Sequence, residues 1–177
     1  MKFPPPDVLF VTQYEVPRAQ LLALARQVFS DTFSHLYVPE AFREFCDRTW
    51  ADNGPIAKDF DDPSVLWHVA TERGRPIGYA KVTPLRAPAQ TAREGAIELQ
   101  QLYVASDWHG TGIADELMRR AVESARGLAA SELYLTVFDH NERAKRFYAR
   151  HGFEEVGRCT FQLGDRVDDD RIWRKPL

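Results

Sequence analysis

His109-Gly110-Thr111-Gly112-Ile113-Ala114 joins an apolar run that reads as a strand, Ala96 to Val104, to an amphipathic run that reads as a helix, Gly112 to Arg126. Along that helix Ile113, Leu117, Ala121 and Ala125 recur at every fourth position, while Arg119, Arg120, Glu123 and Arg126 fall elsewhere, so one stripe packs and the rest meets water. A second apolar run, Leu133 to Phe138, follows. Strand, glycine turn, helix and strand together read as a parallel crossover. Gly110 and Gly112 carry no Cβ, so a ligand can come close to the backbone there. The first turn of the helix adds N–H groups without partners and the positive end of the helix dipole. A phosphate suits such a place.

Outward from this unit, Val8 to Gln13 reads as a first strand and Pro17 to Phe29 as a helix with Leu21, Leu24, Ala25 and Val28 on one side. A second helix is expected after Pro39. Val65 to Thr71 and Ile77 to Val82 form a hairpin around Glu72-Arg73-Gly74-Arg75-Pro76, and Leu85 to Gly95 reads as a loop. Asn141 to Arg150 reads as a short helix, and Val156 to Leu163 and Arg171 to Arg174 as closing extended runs. The order β, α, α, β, β, β, α, β, α, β, β implies one mixed sheet with helices on both faces, and pattern alone leaves α/β and α+β open.

The 177 residues, 44% hydrophobic, suffice for one domain spanning 1–177 and divide poorly into two. No run approaches the ~20 apolar residues of a membrane span, and MKFPPPDVLF lacks the layout of a secretory signal, so a cytoplasmic protein without a membrane partner is expected. A net charge of −3 argues against nucleic acid as a partner. Cys46 and Cys159 have no ligand-spaced neighbours and read as packing residues, so no metal site is expected. His35, His68, His140 and His151 form no triad. Residues 31–62 hold eight acids against three bases, a local balance of −5, which reads either as a solvated face or as an attractor of cations.

Asn141 through Phe153 reads NERAKRFYARHGF, with the phenol of Tyr148 four residues after Ala144 and on the same side of its helix. This segment and the glycine loop resemble the two signature motifs of the GNAT N-acetyltransferases. In that family an R/Q-x-x-G-x-G/A loop holds the pyrophosphate of acetyl-CoA, and an N-x-x-A-x-x-F-Y-x-x-x-G-F segment brings a tyrosine to the thioester sulfur. His109 stands where the family more often has Arg or Gln. Rival readings of the loop fit less well: no Lys-Ser/Thr pair follows the glycines as in a P-loop, and Asp115 occupies the third glycine position of a dinucleotide fold.

The resemblance implies a central mixed, mostly antiparallel sheet of about seven strands flanked by about four helices, with acetyl-CoA as co-substrate. It implies cofactor contacts from the backbone of Leu102, Tyr103 and Val104, from His109 to Ala114, and from Asn141, Ala144 and Arg150. Asn141 can also cap its helix through the side-chain oxygen. Transfer from a thioester to an amine needs a neutral amine, a stabilised oxyanion and a proton for the leaving thiolate. An alkylamine has a pKa near ~10.4 and arrives protonated at neutral pH. The resemblance makes Glu98 the base, directly or through water, and Tyr148 the acid. Glu98, Gln100 and Gln101 are in any case unusual in a strand expected to be central. The ending TFQLGDRVDDDRIWRKPL resembles a bacterial branch that acetylates polyamines and other small primary amines. That implies a small-molecule amine acceptor and leaves room for a homodimer. Protein or peptide amines, amine antibiotics and a non-catalytic acetyl-CoA sensor are the alternatives.

Overall fold

The computed structural model describes residues 4–177. Seven strands form one sheet in the order β1-β2-β3-β4-β5-β7-β6. In chain order they are β1 (Val8–Thr12), β2 (Leu66–Glu72), β3 (Arg75–Pro84), β4 (Ile97–Val104), β5 (Glu132–Phe138), β6 (Glu154–Leu163) and β7 (Arg166–Pro176). Neighbours run antiparallel except β4 and β5, which are parallel. The helices are α1 (Arg18–Phe33), α2 (Pro39–Thr49), α3 (Pro55–Asp61), α4 (Ile113–Gly127) and α5 (Glu142–Arg150).

Two apolar layers hold the helices to the sheet. Because side chains alternate along a strand, Trp67 and Val69 of β2 and Tyr79 of β3 face α1, α2 and α3, where Leu21, Ala25, Phe29, Cys46 and Phe60 complete the layer. Ala70, Ala80, Val82, Leu99, Leu133 and Leu135 face α4, whose stripe of Ile113, Leu117, Ala121 and Ala125 is fully buried. Ala144, Phe147 and Tyr148 of α5 pack at the edge of this second layer.

Several boundaries differ from the sequence reading for local reasons. The β2–β3 turn is only Arg73-Gly74, both at positive φ (48° and 77°), a two-residue hairpin whose hand matches the strand twist, so β3 begins at Arg75 rather than after Pro76. Helix α1 runs on to Phe33, because Phe33 packs on Phe29 at 5.0 Å between ring centroids. The short α3 was not read from sequence. It starts at Pro55 after Gly54 and buries Ile56, Ala57, Asp59 and Phe60, a mixture that hides its periodicity. Strand β7 spans the whole of Arg166–Pro176, where charged residues mask the alternation. Among the described residues, no helix is long and apolar enough to cross a membrane.

Candidate active site

Strands β4 and β5 share register only at Ile97↔Leu133 and Glu98↔Tyr134 and then part. The cause is local. Opposite β3, Lys81 pairs with Gln101 and Val82 with Leu99, so Gln100 is an extra residue in β4, and a bulge of this kind bends its strand. Beyond it the ladder resumes, and Ala105 N–H donates to the directly opposed Ile77 carbonyl at 2.8 Å. Bonded and non-bonded pairs alternate in an antiparallel ladder. The backbone groups of Tyr103 therefore face Tyr79 on β3, while those of Leu102 and Val104 face the gap that β5 has left. Of the three residues expected to meet a ligand through the backbone, Leu102 and Val104 are available and Tyr103 is not. The side chain of Tyr103 nevertheless lines the resulting cleft, whose volume is about 630 Å³ and whose walls come from both faces of the sheet.

On the α4 side, Gly110 and Gly112 sit at φ 75° and 88°, a region that favours glycine. Among the described residues, the amides of Gly110 to Asp115 meet no acceptor in the protein. The amide of Glu116, 3.1 Å from the Gly112 carbonyl, is the first that does. Thr111 Oγ1 donates to the Trp108 carbonyl at 2.7 Å and shapes the turn. Ala114 reaches the cleft wall, whereas the Ile113 side chain is buried in the core. His109 takes a structural role of its own. Arg143 Nη1 lies 3.0 Å from its Nδ1 and can only donate, so Nε2 carries the proton that goes to the Val104 carbonyl at 2.8 Å. One ring thus ties the glycine loop to β4 and α5. It also consumes the Val104 carbonyl, leaving that residue's N–H and both backbone groups of Leu102 for a ligand.

Asn141 caps α5 as expected, its Oδ1 accepting the Ala144 N–H at 3.1 Å, and both residues line the cleft. A single N-cap contributes about 1 kcal/mol. Asn141→Ala should accordingly lower the melting temperature by about 3 °C, the scale for a chain of this size, as scanning calorimetry can check. Tyr148 projects from this helix between Phe147 and Phe153, with ring centroids 5.6 and 5.9 Å away. Its hydroxyl has no hydrogen-bond partner among the described residues, and burial pushes the phenol up to about 12. A group held that high keeps its proton and serves as a donor. Arg150 lies over the Phe147 ring at 5.4 Å and 3.8 Å from Asp115 on the first turn of α4, outside the cleft lining. The base of α5 that lines the cleft is Arg143.

Glu98 is buried in the opposite wall, and its Oε2 accepts the N–H groups of Arg86 and Ala87 at 2.8 and 2.7 Å. Burial raises its carboxyl above the ordinary range, against the pull of those two amides. Arg86 in turn grips both oxygens of Asp59 at 2.9 and 2.7 Å, and buried Lys81 reaches the same carboxylate at 2.7 Å. Burial opposes the charge of Asp59, yet these two cations hold its carboxyl below the usual range. The β3–β4 loop is thereby pinned over the cleft. Of the acids in residues 31–62, only Asp59 lines the cleft, and it is already paired. Asp47 and Asp61 are paired with Arg26 and Arg18 on the surface.

Two acids that the sequence reading missed complete the wall. Asp168 and Asp170 lie two apart on β7 and both line the cleft. Asp168 accepts from Tyr37 Oη at 2.5 Å and Arg166 Nε at 2.7 Å. Their signal in the sequence is the pair of acids at strand spacing inside VDDDR, legible only once β7 is known to run through it. Cys159, read as a packing residue, faces the same space. Among the described residues, no three His, Cys, Asp or Glu side chains gather as a metal site.

The sheet opens between two parallel strands beside a helix start whose amides are free, and comparison with known proteins says what kind of fold this is. The sequence model of the "Acetyltransferase (GNAT) family" matches residues 22–153. An uncharacterised N-acetyltransferase of Mycobacterium tuberculosis is 30% identical over 158 residues, 89% of this chain and 96% of its own. Another, from Lactobacillus delbrueckii subsp. lactis, is 26% identical over 96% of both chains. Among solved structures, the PaiA N-acetyltransferase of Thermoplasma acidophilum in complex with coenzyme A superposes with a TM-score of 0.74. It shares 16% identity over 96% of this chain and 99% of its own, a likeness of fold. The chain belongs to the GNAT acetyltransferase family. It is an N-acetyltransferase with acetyl-CoA as co-substrate.

Proposed function

We propose that this chain transfers acetyl from acetyl-CoA to a small cationic primary amine by direct attack in a ternary complex. Acetyl-CoA supplies the activated acyl carbon as a thioester. The amides of Gly110 to Asp115 and the positive end of α4 hold its pyrophosphate, with Asn141, Ala144 and Arg143 beside it. The coenzyme A bound by the Thermoplasma protein of the same fold accords with this. Leu102 and the Val104 N–H pair with the pantetheine arm as a neighbouring strand would, and direct a donor at the thioester oxygen.

Tyr148 faces the sulfur. Full proton transfer from a phenol near 12 to a thiolate near ~8.5 is uphill by about 5 kcal/mol, so its contribution is a hydrogen bond to the charge developing on sulfur. Glu98 has one oxygen committed to the Arg86 and Ala87 amides, and its other oxygen draws the amine proton through water. Glu98→Gln keeps an oxygen for those amides but removes the base, so kcat should fall most in the window above the raised Glu98 carboxyl and below the amine pKa, where the base is ionised and the amine still carries its proton. An unchanged profile would remove Glu98 from the chemistry.

The observation that carries the acceptor class is the division of charge along the cleft. Free amides and Arg143 come from the α4 turn and α5, and Glu98, Asp168 and Asp170 come from β4 and β7, where Lys81 and Arg86 are already taken up by Asp59. A cytoplasmic setting, where acetyl-CoA is available, belongs to the same proposal. The test is release of free thiol from acetyl-CoA across polyamines, aminoglycosides, amino acids and peptides. Saturable turnover with spermidine or 1,4-diaminobutane, with KM rising with ionic strength, is expected. Preference for a neutral, anionic or peptide acceptor would reject the cationic-amine reading and leave the family assignment standing.

A further inference from the structure

The carboxylates of the cleft differ in one respect. Asp59 is held by Lys81 and Arg86, Asp168 by Tyr37 and Arg166, and Glu98 by two backbone amides. Asp170 lines the same cleft half-buried, and among the described residues it has neither a hydrogen bond nor an ion pair. It sits in mid-sheet on β7, between Phe138 of β5 and Cys159 of β6 in the register, so it stands on scaffold rather than on a mobile loop. Burial above all, and then Tyr148 and the charge of Asp170, raise the Tyr103 phenol, which brings all three side chains to one region. A carboxylate partly removed from water and left without a counter-charge is costly unless a cation arrives to meet it. The protein supplies cations to its neighbours and none to Asp170.

We infer that Asp170 is the specificity-determining residue of the acceptor site, binding an ammonium group of the incoming amine. This rests on the cationic-amine reading above and says where the cation is held. In a diamine or polyamine, the ammonium held by Asp170 is the one that does not react, and the second nitrogen is the nucleophile. Glu98 and Tyr148 keep their parts in the chemistry.

The groups near Asp170 are Asp168 on the same face of β7, Asp169 next to it on the opposite face, Cys159 on β6, Tyr103 on β4 and Tyr37 on the turn after α1. Burial first, then the charges of Asp168 and Asp169, raise Asp170 to about 6. The thiol and both phenols are themselves raised and stay neutral at that pH. The sign follows: above about 6 Asp170 is charged and holds the ammonium, and below it the site is protonated and releases it. KM for a diamine therefore climbs as pH falls through that value, in addition to any fall in kcat from protonation of Glu98.

The experiment uses spermidine as the probe and three proteins: the parent, Asp170→Asn, and Asp169→Asn as an exposed control of the same net charge. Binding to the enzyme saturated with coenzyme A is measured by calorimetry, and KM and kcat by thiol release between pH 5 and 8, with melting temperatures confirming the fold. Asp170→Asn is expected to weaken spermidine about tenfold and flatten the pH dependence of KM, while leaving kcat and the acetyl-CoA KM within twofold. Asp169→Asn should match the parent in spermidine affinity at pH 8 and keep a pH-dependent KM, its midpoint displaced only toward lower pH by loss of the Asp169 charge. Equal binding by all three proteins, or equal weakening by both variants, would overturn the assignment to Asp170 while sparing the cationic-amine reading. Failure of the parent itself to bind or acetylate spermidine would overturn both.

Discussion

Tyr148→Phe is expected to lower kcat by about 10²-fold or more while the KM for acetyl-CoA stays within about twofold. The substitution removes one oxygen and leaves the ring, whose packing against Phe147 and Phe153 is retained. The hydroxyl it removes has no protein partner among the described residues, so no internal hydrogen bond is broken and stability should change little. What is lost is a donor aimed into the cleft. Steady-state kinetics with both substrates varied separate the outcomes. A fall in kcat alone marks an interaction made in the transition state, and turnover within twofold of the parent would return Tyr148 to a packing role.

Gly112→Glu should have the largest effect on cofactor affinity, weakening acetyl-CoA by more than about 10³-fold. Two causes act together at this position. A φ of 88° disfavours any side chain, and a carboxylate repels the pyrophosphate that the free amides are proposed to hold. Strain alone costs about 1–3 kcal/mol and would also lower stability. Gly112→Ala is the control: it shares the strain without the charge, and binding should be partly kept. Calorimetric titration with acetyl-CoA at fixed ionic strength distinguishes them, and an unchanged affinity in Gly112→Glu would place the pyrophosphate elsewhere.

The parallel crossover through α4 was legible because its stripe is regular and its glycine turn stands alone between two apolar runs. The same regularity made Asn141 readable as a cap and Tyr148 as a residue turned toward the sheet. What escaped has a common physical origin. Helix α3 and strand β7 bury charged or polar groups against specific partners, Asp59 against Lys81 and Arg86, and Asp168 against Tyr37 and Arg166. A polar residue inside by pairing looks from sequence like a polar residue outside in water. The acidic stretch 31–62 suggested a cation site because its pairing with Arg18, Arg26, Lys81 and Arg86 is tertiary. The cleft's unpaired acid came instead from β7. The bases of α5 look alike in NERAKRFYARHGF, and only the packing of that helix shows that Arg143 is the one lining the cleft. The alternation that turns the backbone of Tyr103 away from the gap depends on the bulge at Gln100, which no pattern in IELQQLYV announces.

The central claim is that acetyl-CoA lies in the gap between β4 and β5, with its phosphates on the first turn of α4. Amide hydrogen exchange, followed residue by residue with and without saturating acetyl-CoA, tests it most directly. The account predicts that the amides of Gly110 to Asp115, Leu102 and Val104 become protected on binding, while that of Tyr103, already bonded to β3, does not change. Binding that leaves the amides of Gly110 to Asp115 exchanging at their free rates would contradict it.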